Sequence, residues 1–304
     1  MCGRVASITP PDPWHDAPVT WTVARLGFAP IKGTRHVARS KIVMSDSGPV
    51  GDRRFCLVDP VRQRALRTVE NPQLIAVTAD WHDPELSCTL PDGTSVTGAV
   101  TSSEAPISFD YWGRQVTGHP VEGPWADAFG RFLGTDLEFV VCEPGDVVFG
   151  DEVTLITTSS VATLSRLAGR PIDPARLRAT AVIDDHAPAV GPSASEASAT
   201  DPAPTDPART PPTRVNLADP VEAGWLGQDL SLGTAVLRVT APIARCAVID
   251  SDPLTGIRDG NLLRILGAAT RRDDQFGDPI FGVQATVIHP GGVRCGDPVN
   301  EITR

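Results

Sequence analysis

The sequence lacks the features that usually mark membrane proteins, zinc proteins and nucleic-acid-binding proteins. No apolar run approaches the roughly 20 residues that a membrane-spanning helix needs, and the N-terminus has no apolar stretch of the secretory-signal type. The six cysteines include no Cys-x-x-Cys pair, which disfavours zinc sites and iron–sulfur clusters. The net charge of −10 makes nucleic acid and anionic membrane surfaces unexpected partners. These absences predict a cytoplasmic protein with free thiols.

Lysine and histidine are also sparse. Lysine occurs only at Lys32 and Lys41, beside 25 arginines, so a lysine at position 32 is not explained by the general basic composition. The six histidines show no metal-ligand spacing with one another. We therefore predict that each histidine is a surface or loop residue without a catalytic role.

Proline and glycine, by contrast, are abundant. The 29 prolines and 27 glycines among 304 residues indicate many turns between short strands, and this length suits about two domains. We predict a mainly β protein with some helix (α+β): a loose lead-in at 1–17, a small antiparallel barrel or sandwich at 18–135, and a second domain at 136–304. Residues 186–213 hold seven prolines and no aromatic residue, so we interpret them as a disordered insertion in the second domain.

Local patterns predict the elements of these domains. Asp92 and Gly93 can supply the positive φ of a tight hairpin turn. One helix is predicted at 124–133 with Gly134 as its C-cap, and a second runs from the cap candidates Ser159 and Ser160 to a stop at Gly169. The predicted strands lie at residues 21–26, 41–44, 55–58, 74–77, 87–90, 230–233 and 236–239.

Several short motifs follow one another in order along the chain. In the second half these are WLG at 225–227, VTAPIARC at 239–246, DPLTG at 252–256, FGVQA at 281–285 and GGVRCGDPV at 291–299. In the first half they are LGFAPIKG at 26–33 and GDRRF at 51–55.

This ordered set resembles the MOSC family, named for the C-terminal domain of molybdenum cofactor sulfurase. The motifs of the first half resemble the β-barrel domain that precedes MOSC in its two-domain members. The resemblance therefore implies a small N-terminal β-barrel domain at 18–135 followed by a MOSC β-barrel domain at 136–304. Within the family, the chain is similar to the amidoxime-reducing components, which reduce N-hydroxylated compounds at a molybdenum centre.

The resemblance implies that Cys246 is the metal ligand and the catalytic residue of a protein that binds the molybdenum cofactor (molybdopterin). A soft thiolate suits a high-valent metal, and the neighbouring Arg245 would favour the thiolate and contribute to cofactor binding. Without the family, Cys246 reads as a structural cysteine at a strand end. The resemblance also assigns three cations to the polar groups and phosphate of the cofactor: Lys32, Arg53 and Arg178.

Two positions depart from the family pattern. Gly33 stands where the family often has serine after the lysine. Thr180 ends an Arg-Ala-Thr triplet where relatives have Arg-Pro-Asn, so it offers the cofactor one hydroxyl in place of a side-chain amide. Beside the cations, Asp52 either orients Arg53 or caps a turn.

Together these residues predict a molybdenum-cofactor-dependent oxidoreductase that reduces N-hydroxylated small molecules. Because no ferredoxin-like extension follows residue 297, we expect a separate reductase to deliver the electrons. The alternative is a sulfur- or cofactor-transfer module in which Cys246 carries a persulfide. A third hypothesis is a cofactor-binding scaffold without turnover, which Gly33 and Thr180 favour.

Overall fold

The computed structural model describes residues 21–186, 217, 220–273 and 277–302. Its strands are β1 Trp21–Phe28, β2 Val37–Arg39, β3 Lys41–Ser45, β4 Gly48–Pro49, β5 Phe55–Asp59, β6 Arg64–Ala65, β7 Thr78–His82, β8 Glu85–Thr89, β9 Ser95–Ala99, β10 Thr101–Ser102, β11 Ile107–Tyr111, β12 Arg114–Glu122, β13 Glu138–Cys142, β14 Val153–Thr157, β15 Ala181–Asp184, β16 Asp229–Leu232, β17 Ala235–Ala244, β18 Ile280–His289, β19 Gly291–Arg294 and β20 Pro298–Ile302. The α-helices are α1 Trp125–Leu133, α2 Thr158–Ala168 and α3 Leu262–Ala269, and the 3-10 helices are Pro72–Ala76, Pro174–Leu177, Val221–Trp225 and Ala247–Asp250.

Seven strands close into a barrel built largely from the second half of the chain. They follow the order β15-β14-β18-β17-β16-β20-β1, and β1 pairs back with β15. Alternate side chains fill the interior, as barrel geometry requires, and Leu155, Leu237 and Val283 are among those fully buried. The first strand therefore belongs to this barrel and not to the N-terminal one, because closure leaves neither β15 nor β20 with an unpaired edge.

A smaller ring forms in the first half. Strands β12, β11, β6, β5 and β13 follow one another, and β12 pairs back with β13. Beside this ring, β7, β8 and β9 form an antiparallel sheet, which shares a hydrophobic core with Trp125 and Phe129 of α1. The predicted mainly β architecture with two barrels is confirmed.

Capping chemistry sets the ends of the helices. Gly134 (φ +71) ends α1 and Gly169 (φ +66) ends α2, both in the left-handed conformation that favours glycine, as predicted. The predicted N-cap of α2 is wrong. Thr157 is the cap, because its hydroxyl accepts a hydrogen bond from the backbone N–H of Ser160 at 3.2 Å.

Two further local predictions have different outcomes. Gly93 adopts a φ of +88 between β8 and β9, so the hairpin turn is confirmed. The predicted strand at 74–77 is wrong, because Pro72–Ala76 forms a 3-10 helix. Leu74 and Ile75 are both buried, and a short buried apolar run has the same pattern in either structure.

Three remaining predictions concern the ends of the chain, the insertion and membrane spans. The lead-in at 1–17 lies outside the described residues, and so does the insertion at 186–213 apart from its first residue. Within the parts of the chain that are described, no helix has both the length and the apolar character needed to cross a membrane.

Candidate active site

Two adjacent backbone segments bring Lys32 and Arg53 into the same region. After β1, residues 29–32 run alongside residues 52–55. The backbone N–H of Lys32 donates to the carbonyl of Phe55 at 2.8 Å, and the N–H of Arg53 donates to the carbonyl of Ala29 at 2.8 Å. This strand-like pairing fixes the attachment points of the two cations side by side.

Lys32 lies where its positive charge is disfavoured. Its Nζ atom is 4.8 Å from the centre of the Tyr111 ring. The pKa of Lys32 is lowered to about 7, chiefly by burial and then by the charges of Arg53 and Arg178, while a thiolate at Cys246 acts in the opposite sense. Arg53, Arg178 and Cys246 therefore all lie within electrostatic reach of Lys32; we call these four residues the cationic cleft.

Arg53 is held by its neighbour Asp52. The φ of Arg53 is +45, which is uncommon for a residue other than glycine. Asp52 is 6% exposed; one of its carboxylate oxygens accepts a hydrogen bond from the guanidinium of Arg53, and the other accepts from the backbone N–H of Ala29 at 3.1 Å. Asp52 thus performs both functions considered for it: it orients Arg53 and holds the turn.

Arg178 reaches the cleft from the second half of the chain. It follows the 3-10 helix Pro174–Leu177 with a φ of +50. The pKa of Arg178 is lowered to about 10, chiefly by burial and then by the charge of Arg53. Its guanidinium forms no hydrogen bond or ion pair with any residue that the structure describes. Two non-glycine residues in the left-handed conformation, Arg53 and Arg178, thus carry cations to one cleft, and such backbone strain is characteristic of functional sites.

Arg245 supports the site from inside the protein. It is 8% exposed, its Nε atom donates to the carbonyl of Phe281 at 2.7 Å, and its Nη1 atom donates to the carbonyl of Leu177 at 2.6 Å. Because Leu177 precedes Arg178, this side chain ties the end of β17 to the Arg178 backbone. Nη2 is buried without a partner among the described residues. Two of the three guanidinium nitrogens of Arg245 therefore hold the backbone of the site in place.

Cys246 presents an exposed thiol beside the cations. It comes two residues after the end of β17 and occupies the N-cap position of the 3-10 helix Ala247–Asp250 without a side-chain capping hydrogen bond. All the described cysteines are free, as predicted; Cys246 and Cys295 are exposed, whereas Cys56, Cys88 and Cys142 are buried. No group of three or more His, Cys, Asp or Glu side chains that could hold a metal ion occurs in the described ranges.

The two departures from the family pattern have local structural reasons. Thr180 is 3% exposed, and its hydroxyl accepts a hydrogen bond from the backbone N–H of Thr154 at 3.1 Å. Gly33 has a φ of +93, and a Cβ atom there would lie 3.2 Å from both the Thr68 hydroxyl and a Leu74 methyl group. The Thr180 hydroxyl is thus engaged within the barrel, and a serine at position 33 would be strained.

His36 is buried near the cations of the site, a position that the sequence did not predict. It lies in a loop just before β2, as one of the two predicted alternatives had it, but it is not at the surface, because it is only 5% exposed. A Cβ atom on Gly27 would lie 2.6 Å from its ring, so the imidazole packs directly against the glycine backbone. Burial lowers the pKa of His36 well below its usual value, and the charges of Arg178, Arg25 and Arg53 add to this effect. The sequence feature that could have drawn attention to His36 is its position four residues after Lys32.

Two family models match the chain. The model of the MOSC N-terminal beta barrel domain matches residues 20–136, and the model of the MOSC domain matches residues 214–300. Lys32 and Arg53 lie in the first match, Cys246 lies in the second, and Arg178 lies between them.

Solved structures also resemble the chain. The YuaD protein of Bacillus subtilis is 11% identical, with 92% of this chain and 93% of that chain covered and a TM-score of 0.38. YiiM from Geobacillus stearothermophilus is 13% identical, with 67% of this chain and 74% of that chain covered and a TM-score of 0.31. No curated protein matches the chain.

Proposed function

Because the chain belongs to the two-domain MOSC family, we propose that it binds a molybdenum cofactor (molybdopterin) through the thiolate of Cys246 and acts as an oxidoreductase. MOSC domains are associated with molybdenum-cofactor sulfurase-like proteins. The proposed substrate is a small N-hydroxylated molecule, whose N–O bond is reduced with electrons from a separate reductase. The observation that carries the proposal is the exposed Cys246 thiol within electrostatic reach of Lys32, Arg178 and Arg245.

The charges of the cationic cleft suit an anionic cofactor that carries a phosphate. Within the described residues, the carboxylate paired with a cation of the cleft is that of Asp52. Burial is the main cause of the lowered pKa values of Lys32 and Arg178, and repulsion from the neighbouring cations lowers them further. A bound phosphate would supply compensating charge, since arginine binds phosphate through a planar fork of donors and lysine through a compact charge.

The protein side of the proposed reaction rests on three kinds of side chain. Cys246 offers the soft ligand, Arg178 and Arg53 hold the anionic groups, and Arg245 keeps the end of β17 in register with Arg178. The cofactor, when bound, supplies the two-electron chemistry of the reduction. Lys32, whose pKa is about 7, is suited to hold a proton at Nζ and to release it near neutral pH.

A second candidate function is sulfur transfer from a persulfide on Cys246. The exposure of this thiol favours it, because a sulfur carrier must meet its acceptor at the surface. In that case the cations would hold the acceptor, and no molybdenum would accompany the purified protein.

Elemental analysis of three purified proteins tests the proposal. We expect the wild-type protein and Cys295→Ser, the matched control at the other exposed cysteine, to hold stoichiometric molybdenum. Cys246→Ser should lose at least about tenfold in metal occupancy, since even residues that only support a metal ligand cost 10- to 100-fold. The first two proteins should reduce benzamidoxime with an artificial electron donor. Metal-free wild-type protein that carries labile sulfane sulfur on Cys246 would overturn the proposal in favour of sulfur transfer.

A further inference from the structure

Three segments of the candidate site meet at one small cavity. Its walls come from the segment after Lys32 (His36), from the 3-10 helix at 174–177 and the residue after it (Arg176 and Arg178), and from the turn after Cys246 (Val248 and Ser251). Ile75, Ala175 and Pro253 complete the lining with apolar side chains. The cavity volume is about 10 Å³, close to the space of a single water molecule. None of the roles described so far uses it.

His36 supplies an unsatisfied polar group to this wall. The side chain is 5% exposed. Its Nδ1 atom is buried and has no hydrogen-bond partner of full geometry among the described residues, although the backbone of Gly27 acts on the ring as a hydrogen-bond acceptor. A buried nitrogen left without a partner destabilises a protein, and nearly all such atoms are bonded to protein or to ordered water. Arg178 also lines this cavity, and its guanidinium makes no hydrogen bond to a described residue.

We propose that His36 is a positioning residue for Arg178. Its neutral imidazole binds a water molecule in this cavity, and the water accepts a hydrogen bond from Arg178. This bridge holds the Arg178 guanidinium at the anion-binding face of the cationic cleft. The inference rests on the proposed function for the identity of the anion, but the anion site can be tested without the cofactor. Water suits this place because it accepts from the arginine and donates to the histidine.

The charges around His36 require the imidazole to be neutral. Arg178, Arg25 and Arg53 all act on it as cations. Arg176, which also lines the cavity, is paired with Asp259 at 2.6 Å and with Asp252 at 3.6 Å. A protonated ring would add a cation to this group and would lose the lone pair that accepts a hydrogen bond. Burial beside these cations thus keeps His36 in the form that the water bridge needs.

Binding of inorganic phosphate to the metal-free protein, measured by calorimetry, tests this role. We expect His36→Leu to weaken phosphate binding by about tenfold, the lower range for a residue that supports a ligand, and His36→Asn to stay within about threefold of wild type because its amide can bind the same water. His119→Leu is the matched control, since His119 contacts the carbonyl of Ser103 at 2.9 Å and does not line the cavity. Thermal unfolding checks that each variant folds.

The variant Arg178→Ala separates an effect of His36 through Arg178 from a general disturbance of the structure around His36. If His36 acts through Arg178, His36→Leu should have no further effect on phosphate binding in the Arg178→Ala background, because mutations of coupled residues are not additive. The same loss in both backgrounds, or an unchanged affinity in His36→Leu, would overturn the inference. A high-resolution structure should show a water bonded to both side chains, and a dry cavity would also overturn it.

The outcomes also separate this inference from the proposed function. If the wild-type protein holds no molybdenum but His36 and Arg178 remain coupled in phosphate binding, the proposed function fails and the positioning role stands. If the wild-type protein holds molybdenum while His36→Leu binds phosphate normally, the positioning role fails and the proposed function stands.

Discussion

The ammonium group of Lys32 lies against the Tyr111 ring, 4.8 Å from its centre, and has no ion pair with a described residue. The guanidinium of Arg114 lies 5.1 Å from the centre of the same ring, so two cations share the only tyrosine of the chain. An aromatic ring compensates a cation less than a carboxylate does. Lys32 therefore lacks a compensating negative charge, and a bound anionic ligand should favour its protonated form.

Lys32→Met should stabilise the anion-free protein below pH 7. The pKa of Lys32 is about 7 in the fold against 10.5 in the unfolded chain, so the folded state carries an unfavourable charge at low pH. That penalty is fully present below pH 7 and is relieved as the pH rises from 7 to 10.5. The free energy of unfolding of Lys32→Met should exceed that of wild type by up to about 5 kcal/mol at pH 6, and the excess should shrink by pH 9.

Urea denaturation at both pH values checks this expectation. Lys41→Met, at the other lysine of the chain, is the matched control: Lys41 is exposed, and its substitution should change the free energy of unfolding little at either pH. Phosphate should stabilise the wild-type protein more at pH 6 than at pH 9, because it binds the charged lysine. An excess that is equal at pH 6 and pH 9 would contradict the assigned environment of Lys32.

Gly33→Ser should destabilise the protein without improving cofactor binding. The residue has a φ of +93, and a side chain there meets Leu74 and Thr68 at 3.2 Å. Gly113→Ser is the matched control, because Gly113 has a φ of +82 with no atom within 4 Å of the added Cβ. We expect a loss of about 2 kcal/mol for Gly33→Ser and about 1 kcal/mol for Gly113→Ser, measured by urea denaturation. Higher molybdenum content in Gly33→Ser would show that the missing hydroxyl limits binding.

Local chemistry made part of the fold predictable. Gly93 and Gly134 mark a hairpin turn and a helix end because glycine adopts the required positive φ more easily than other residues do. The membership of β1 in the second barrel depends on pairing with β15, about 160 residues further along the chain, and no pattern within 21–28 specifies that partner. The burial of His36 likewise depends on Gly27, which lies on β1, and on the distant Arg178.

Part of the site was predictable for a different reason. Lys32, Arg53 and Cys246 stand in ordered motifs, so the family resemblance pointed to them before any geometry was known. The resemblance assigned Thr180 by its place in a triplet, but its hydroxyl bonds Thr154 of β14. Whether a side chain faces a pocket or a neighbouring strand depends on strand register, which the triplet does not encode.

Thr180→Val should therefore reduce stability and leave molybdenum content unchanged. The substitution leaves the backbone N–H of Thr154 without the acceptor that it has at 3.1 Å, and a buried donor without a partner costs about 1–3 kcal/mol. Thr154→Val removes the other hydroxyl of the pair, and the double variant should lose less than the sum of the single losses. A Thr180→Val protein of normal stability that lacked molybdenum would instead indicate that the hydroxyl contacts the cofactor.

Arg245→Gln should lower both stability and molybdenum content. The guanidinium joins the carbonyls of Phe281 and Leu177 at 2.7 and 2.6 Å, and the shorter amide cannot reach both. We expect a loss of about 3 kcal/mol in the free energy of unfolding, because two buried carbonyls lose charged donors. Molybdenum content should fall because Arg178, next to Leu177, is no longer held in place.

Arg238→Gln is the matched control, on the strand β17 that Arg245 directly follows. The Arg238 side chain is 37% exposed and pairs with Asp229 at 2.7 Å, and an ion pair at the surface contributes about 1 kcal/mol or less. We expect this variant to keep its molybdenum and nearly all of its stability. Arg245→Lys adds a second comparison, since lysine keeps the charge but lacks the planar fork that spans two carbonyls. If Arg245→Lys had the stability and metal content of the wild-type protein, charge alone would explain the role of Arg245. The positioning of Arg178 through Leu177 would then be wrong.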